Sequence, residues 1–321
     1  MPILKLGHDT VTPYANVSLG IYREISPGGV YQIPQDRFKF EISTDANDIG
    51  DGALRYAFYQ APHVYEVLVP SVTQVTGENA LYQAFYQCDD IESVNFNNLE
   101  TVTGPSSFYE TFYGCTNLEN LSMSKLREIK ISNVRGYCFY GTFSGCTSLK
   151  NVDLSGLELL SNENGNYRPT YQMFQRCTGI ESVDLRSLRS ICYYGAGRMF
   201  DGCTSISSVN LDSLETVNSY GCYAMFMGCT SLESVNFKSL NLVYANALNA
   251  TFSNSTNLKT LYFPALGNNS FSGSVNHMVN MLNNVSGCTV HMRSDLNSTI
   301  RNYAYIRNGF GGTNTTVLFD L

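Results

Sequence analysis

The chain has 321 residues, 43% of them hydrophobic and only 15% charged, with a formal net charge of −7. That is enough apolar material for a large core, while the basic field that gives nucleic-acid binders most of their affinity is missing, which excludes that class. No run approaches the ~18 apolar residues of a membrane span, and the first twenty residues, MPILKLGHDTVTPYANVSLG, lack the basic start, apolar run and cleavage site of an export signal. Residues 1–50 read as an N-terminal cap. MPILKLGHDTVTP is a short strand-like lead suited to attachment to a larger assembly, and VYQIP and FKFEIST are short strands between turn residues.

A repeat fills residues 51–292. Phe recurs at 58, 85, 112, 143, 174, 200, 226 and 252, with spacings of 27, 27, 31, 31, 26, 26 and 26. Six of these are followed three residues later by Cys: Cys88, Cys115, Cys146, Cys177, Cys203 and Cys229. A phased L-x-x-V-x-[LF]-x-x-L-x-x-V pattern follows, clearest at Leu232, Val235, Phe237, Leu240 and Val243. V-x-[LF] alternates in and out, so it predicts a short strand. A lone unit of this size cannot bury its apolar set, and stacking copies makes one continuous core. About eight or nine units are expected, the last of them degenerate at Met281–Met292. The two long spacings carry their extra residues in KISNVRGYCFYGT and SNENGNYRPTYQM, predicted to be adjacent bulges on one lateral face.

Residues 293–321 read as a C-terminal cap. After the strand TVHM, a helix is predicted over 294–308 with Ser294 or Asp295 as N-cap, then a GFGGTNTT turn and a last strand in VLFDL.

These residues resemble the BspA-like leucine-rich-repeat family. The likeness rests on the phased F-x-x-C-x-x-L-x-x-V-x-[LF] unit, on IGDGALRYAF and on the MF-G-C-T-S pattern at Met199 and Met225. It implies an α/β repeat fold, a right-handed solenoid of short parallel strands with terminal caps, and a bacterial surface or secreted setting with adhesion-type roles. One departure is Leu, as at Leu214 and Leu240, where an asparagine or cysteine ladder often runs.

Two faces offer candidate binding residues. One outward strand column reads Asn95, Ser122, Asp153, Asp184, Asn210, Asn236 and Tyr262, and the resemblance implies a concave binding sheet there. Stacked Asp153 and Asp184 are candidates for a raised pKa or a Ca²⁺ site, against the plainer reading of a solvated face. The second face is the tyrosine-rich flank, with Tyr137, Tyr140, Tyr167, Tyr171, Tyr193, Tyr194, Tyr220 and Tyr223 among 22 tyrosines. Exposed tyrosines suit protein or sugar partners; the plainer reading is that their rings cover the core flank. The ladder cysteines read as reduced, buried small hydrophobes; Cys138, Cys192 and Cys222 lie off that row in lateral segments.

The four histidines share no local motif with Ser, Cys or carboxylates, and no nucleotide, zinc-protease or nucleophile-elbow pattern occurs. Neither catalysis nor a cofactor or metal is expected. Two functions remain open: a binding or adhesion module for a protein or glycan, and a structural part of a larger appendage such as a phage tail or fibre.

Overall fold

The computed structural model describes residues 3–6, 21–23, 30–32, 37–42, 47–131, 137–162, 168–273 and 276–321. One strand per repeat lies on a first parallel sheet. Val64–Leu68, Ser93–Asn95, Asn120–Ser122, Asn151–Asp153, Ser182–Asp184 and Ser208–Asn210 pair in sequence order. The alternation works as expected: Val94 is buried between outward-facing Ser93 and Asn95. Phe38–Ile42 joins this sheet beside Val64–Leu68, with Ile3–Leu6 outside it, while Ile21–Arg23 and Val30–Gln32 form a separate antiparallel pair. Ser234–Asn236, Thr260–Phe263, Thr289–Met292 and Thr316–Phe319 make a further parallel sheet. The hydrogen-bond ladder lapses between Ser208–Asn210 and Ser234–Asn236, and there Val209 is only partly buried. From Phe38–Ile42 to Thr316–Phe319 the chain makes about ten turns rather than eight or nine, because the terminal strands stack in register like the repeats.

The second half of the pattern, L-x-x-V, forms a second parallel sheet. Its seven strands run from Gln74–Val75 through Thr101–Val102, Glu128–Ile131, Leu159–Asn162, Ser190–Ile191 and Thr216–Val217 to Leu242–Val243. Most are only two residues long, too short to leave a periodic trace in the sequence.

The remaining face corrects the α/β expectation, because it holds no helix among the described residues. The segment carrying Phe and Cys is a run of linked turns. In one coil the Tyr82, Ala84, Tyr86 and Cys88 N–H groups donate three residues back, to Asn79, Leu81, Gln83 and Phe85. The intervening Leu81, Gln83, Phe85 and Gln87 N–H groups donate to Ser107, Tyr109, Thr111 and Tyr113 of the next coil. A helix would keep all its bonds inside one coil; here every second donor ties neighbouring coils together. This geometry puts every fourth residue at positive φ: Asn79, Gln83 and Gln87 lie at 55°, 49° and 52°. Such residues cost roughly 1–2 kcal/mol each in crowding, a cost that the inter-coil hydrogen bonds offset.

The period of four also sorts the side chains. Two successive residues point in and the next two point out, so Ala84 and Phe85 are buried while Tyr86 and Gln87 are not. Inside, Phe58, Phe85, Phe112, Phe143, Phe174, Phe200, Phe226 and Phe252 form one stack with centroids 4.9–5.9 Å apart. Phe40 closes its N-terminal end edge-on, 4.7 Å from Phe58. Each fully buried Phe contributes about 1.5–3 kcal/mol.

The cysteine row lies beside it, and all ten cysteines are free and buried. Each ladder thiol sits 2.8–3.3 Å from the carbonyl of a Phe in the preceding coil, as Cys203 Sγ does from Phe174 O. Where the row ends, Ser255 donates in the same way to Phe226 O at 2.7 Å. The position therefore selects a small hydrogen-bond donor as well as a small apolar group. Cys138, Cys192 and Cys222 are buried too, Cys138 with its thiol 3.3 Å from Gly104 O.

The predicted C-terminal helix is two single turns, Ser298–Arg301 and Ala304–Arg307. Asn297, not Ser294 or Asp295, is the N-cap: its side chain accepts the Ile300 N–H at 3.0 Å. Asp295 is held instead by Arg293, and extended Tyr303 interrupts the helical path.

Candidate functional site

The strand column assembles as read. Asn95, Ser122, Asp153, Asp184 and Asn210 lie side by side, each opposite the next, and Asn236 stands opposite Tyr262 beyond the break. Their polar atoms are largely committed to the chain's own turns. Asn95, Asp153, Asp184 and Asn210 each accept, through Oδ1, the backbone N–H two residues on, at 2.9–3.1 Å. Short amide and carboxylate side chains make this turn readily, which gives the column a structural reason for its composition. Ser122 bonds Asn97.

Asp184 of the stacked pair has a partner of its own. Arg186 hydrogen-bonds Asp184 and holds its carboxyl below the usual range. Beside this column, Glu66, Ser93, Asn95, Glu119, Asn120 and Ser122 line a shallow open depression of about 340 Å³.

The flank is organised by the period of four. The tyrosines three residues before Phe85, Phe112, Phe143 and Phe174 form one column. Tyr82–Tyr109 and Tyr109–Tyr140 stack at 4.7 and 4.9 Å, and Tyr140–Tyr171 at 5.9 Å. The tyrosines one residue after Phe58, Phe85 and Phe112 form another, with Tyr59–Tyr86 at 4.9 Å and Tyr86–Tyr113 at 5.0 Å. Of the flank tyrosines predicted from the sequence, Tyr140 and Tyr171 stand in the first column; Tyr59, Tyr82, Tyr86, Tyr109 and Tyr113 are not among those predicted, and their signal is their fixed offset from the ladder Phe. Tyr193 packs edge-on against Tyr194 at 4.8 Å, and Tyr194 stacks on Tyr220 at 4.8 Å. Tyr167 lies outside the described residues, as do residues 132–136 and 163–166 of the two predicted bulges. Because rings in a column cover one another's faces, the columns turn edges rather than faces outward. Burial raises the pKa of Tyr82, Tyr109, Tyr140 and Tyr171, so these hydroxyls stay protonated.

Between the columns run amides and a few charges. Gln60 donates to Gln87 at 2.8 Å, and Gln83 donates to Glu110 at 2.7 Å. Burial raises the Glu110 pKa despite that bond. Further along, Gln172 donates to Gln175, and Gln175 and Arg198 both reach Asp201, at 2.7 and 3.3 Å. Asp201 is only 8% exposed, and burial raises its pKa. The column is interrupted at Gly197, where an added Cβ would come within 2.8 Å of the Tyr171 ring. Glycine lets Tyr171 lie across that coil towards Tyr194. The Arg168 guanidinium rests over both rings, 4.7 Å from the Tyr171 centroid and 4.3 Å from that of Tyr194. Histidines form two carboxylate contacts that the sequence did not reveal, His63 with Asp90 and His291 with Asp320.

The repeat unit decides the family. The model of the BspA-type leucine-rich-repeat region matches residues 55–194 and 170–279 with six copies, together more than half of the chain. The chain belongs to the BspA-type leucine-rich-repeat family. Among solved structures it is similar to a leucine-rich cell surface protein from Faecalibacterium prausnitzii A2-165, at 11% identity over 93% of this chain and 86% of that one, TM-score 0.27. It is also similar to a leucine-rich repeat protein from Bacteroides ovatus ATCC 8483, at 16% identity over 98% and 92%, TM-score 0.29. A third is the leucine-rich repeat protein of T. pallidum, at 14% identity over 87% and 86%, TM-score 0.30. These superpositions are loose, and the family assignment rests on the repeats. No curated protein matches the chain. No helix among the described residues is long and apolar enough to cross a membrane.

Proposed function

We propose that this BspA-type solenoid is a non-catalytic binding module, working at or outside the cell surface, that meets a protein or glycan partner through its tyrosine-rich flank. The observation that carries the reading is the pair of tyrosine columns. They set aromatic edges, phenol hydroxyls and amides at coil spacing over several successive coils. Tyrosine gives contact area at low entropic cost with one polar tip, which is why it dominates interface energies. The strand column is the weaker choice, since its amides and carboxylates already close turns. The terminal segments, 1–50 and 293–321, act as caps that protect the ends of the stack.

Two block variants test this. Tyr109, Tyr140 and Tyr171 changed together to Ala should abolish capture of a partner, while Asp153, Asp184 and Asn210 changed to Ala should leave it. Full capture by a folded tyrosine variant would remove the flank from consideration. If neither variant loses capture, the reading as a structural part of an appendage takes its place.

A further inference from the structure

From the same flank we infer a more specific ligand: an anionic glycan, bearing carboxylate or sulfate groups, gripped at the coil where the tyrosine column breaks. This rests on the flank being the binding face. The chain as a whole is acidic, at −7, yet Arg168 and Arg198 lie beside Tyr171, and Arg176 joins Arg198 beside one buried carboxylate, Asp201. Asp201 is taken up by Arg198 and Gln175. Arg168 and Arg176 make no ion pair or side-chain hydrogen bond among the described residues.

Arg168 is the centre of the site. Two aromatic rings flank its guanidinium carbon, at 4.7 and 4.3 Å, which limits the rotamers it must give up on binding. A planar fork held in this way, with its N–H groups unspent, suits an oxyanion that can take two parallel hydrogen bonds. Arg176 stands exposed against Gly202, in a column where the next coil also has glycine, Gly228.

A glycan fits this surface better than an acidic peptide. A peptide binds a β-structure most strongly by adding a strand, and that needs free backbone groups. Here the backbone donors are spent between coils: Gln172 N–H goes to Gly197, Phe174 N–H to Met199 and Arg176 N–H to Asp201. What remains is side chains, above all the protonated phenols of Tyr140, Tyr171 and Tyr194. Neutral donors and acceptors repeated once per coil match a polyhydroxylated chain, and the arginines match its acidic groups.

Binding of the full chain to heparin, to polygalacturonate and to poly-L-glutamate, measured at rising salt, tests the proposal. The expected result is binding to one or both polysaccharides that weakens with salt, with poly-L-glutamate clearly weaker. Arg168→Gln should then weaken binding by about ten-fold or more, the loss of a charged hydrogen-bonding pair. Arg168→Lys should recover only part of it, and Arg189→Gln, which removes the same charge just before the second-sheet strand Ser190–Ile191, should change nothing. Equal effects of Arg168→Gln and Arg189→Gln, a preference for poly-L-glutamate, or no polysaccharide binding at low salt would each overturn the inference. If Arg168→Gln has no effect while the triple tyrosine variant abolishes binding of either polysaccharide, the flank stands and the arginine site falls. If the triple variant also binds fully, both fall.

Discussion

The strand face and the tyrosine flank are built from the same stacking rule, yet they leave different chemistry for a partner. On the strand face, Asn95, Asp153, Asp184 and Asn210 spend their oxygens on backbone N–H groups two residues on. On the flank, the backbone satisfies itself through alternate bonds within and between coils, so the tyrosines and Arg168 are not needed to close any turn. A polar column is therefore a poor guide to a binding face until its local hydrogen bonds are counted. The acids differ in the same sense: Arg186 lowers the pKa of Asp184, whereas burial raises that of Glu110.

The largest expected effect tests what supports the flank from within. Phe200 is fully buried in the aromatic stack. Phe200→Ala should cost roughly 3–5 kcal/mol in denaturant unfolding, with early loss of hydrogen-exchange protection in the adjacent coils. A variant that unfolds like the wild type would show that the flank does not depend on its phenylalanine row.

A smaller effect separates donor from filler in the cysteine row. Cys203→Val, which removes the donor to Phe174 O, should be less stable than Cys203→Ser by about 1 kcal/mol; the reverse order would reduce the row to apolar packing. Thiol titration in denaturant without reductant should find ten free thiols. In the native protein they should react slowly, being buried, with Cys88 and Cys177 pushed up to about 12 by burial.

The smallest effect is the contrast between the two acids, each worth under about 1 kcal/mol at these partly exposed sites. The lowered pKa of Asp184 gives stability present above its unfolded value near ~3.9 and lost as pH falls through the folded value. Asp184→Asn should therefore be weaker than wild type at neutral pH and equal to it in acid. Glu110 has the opposite sign: its raised pKa favours the protonated form, so that contribution is lost as pH rises through the folded value. Glu110→Gln should match wild type below pH ~4 and gain on it towards neutrality. Parallel pH profiles for the two variants would erase the distinction between the faces.

Much of this was legible in the residues. The phenylalanine and cysteine spacings mark the coils, and Val94, Val152 and Val183 sit inward as their alternation requires. The turn ladder was not legible, because its period of four falls close to the helical 3.6, and Met199, Phe200 and Cys203 would suit either. Left-handed Gln83, Arg198 and Ala224 give no warning in sequence, since nothing in such residues favours positive φ. The tyrosine columns were half visible: the long spacings mark out Tyr140 and Tyr171, while Tyr82, Tyr86, Tyr109 and Tyr113 lie in coils of ordinary length, where nothing but their offset from Phe sets them apart. Arg168 carries no motif, and only Gly197 beneath Tyr171 gives it its place.

The alternate hydrogen bonds of the turn ladder have a mechanical consequence. On this face, as on the parallel sheets, the bonds between coils run along the solenoid axis. A pull on the two ends along that axis loads the coils in series, so the weakest terminal coil opens first and the load passes to the next. Each event releases one unit, at 26 to 31 residues roughly 90–110 Å of extended chain. Single-molecule stretching should show a train of small, even steps rather than one tall rupture. A solenoid built this way yields gradually under load and keeps its remaining coils folded, whereas a globular domain of equal size would fail at once.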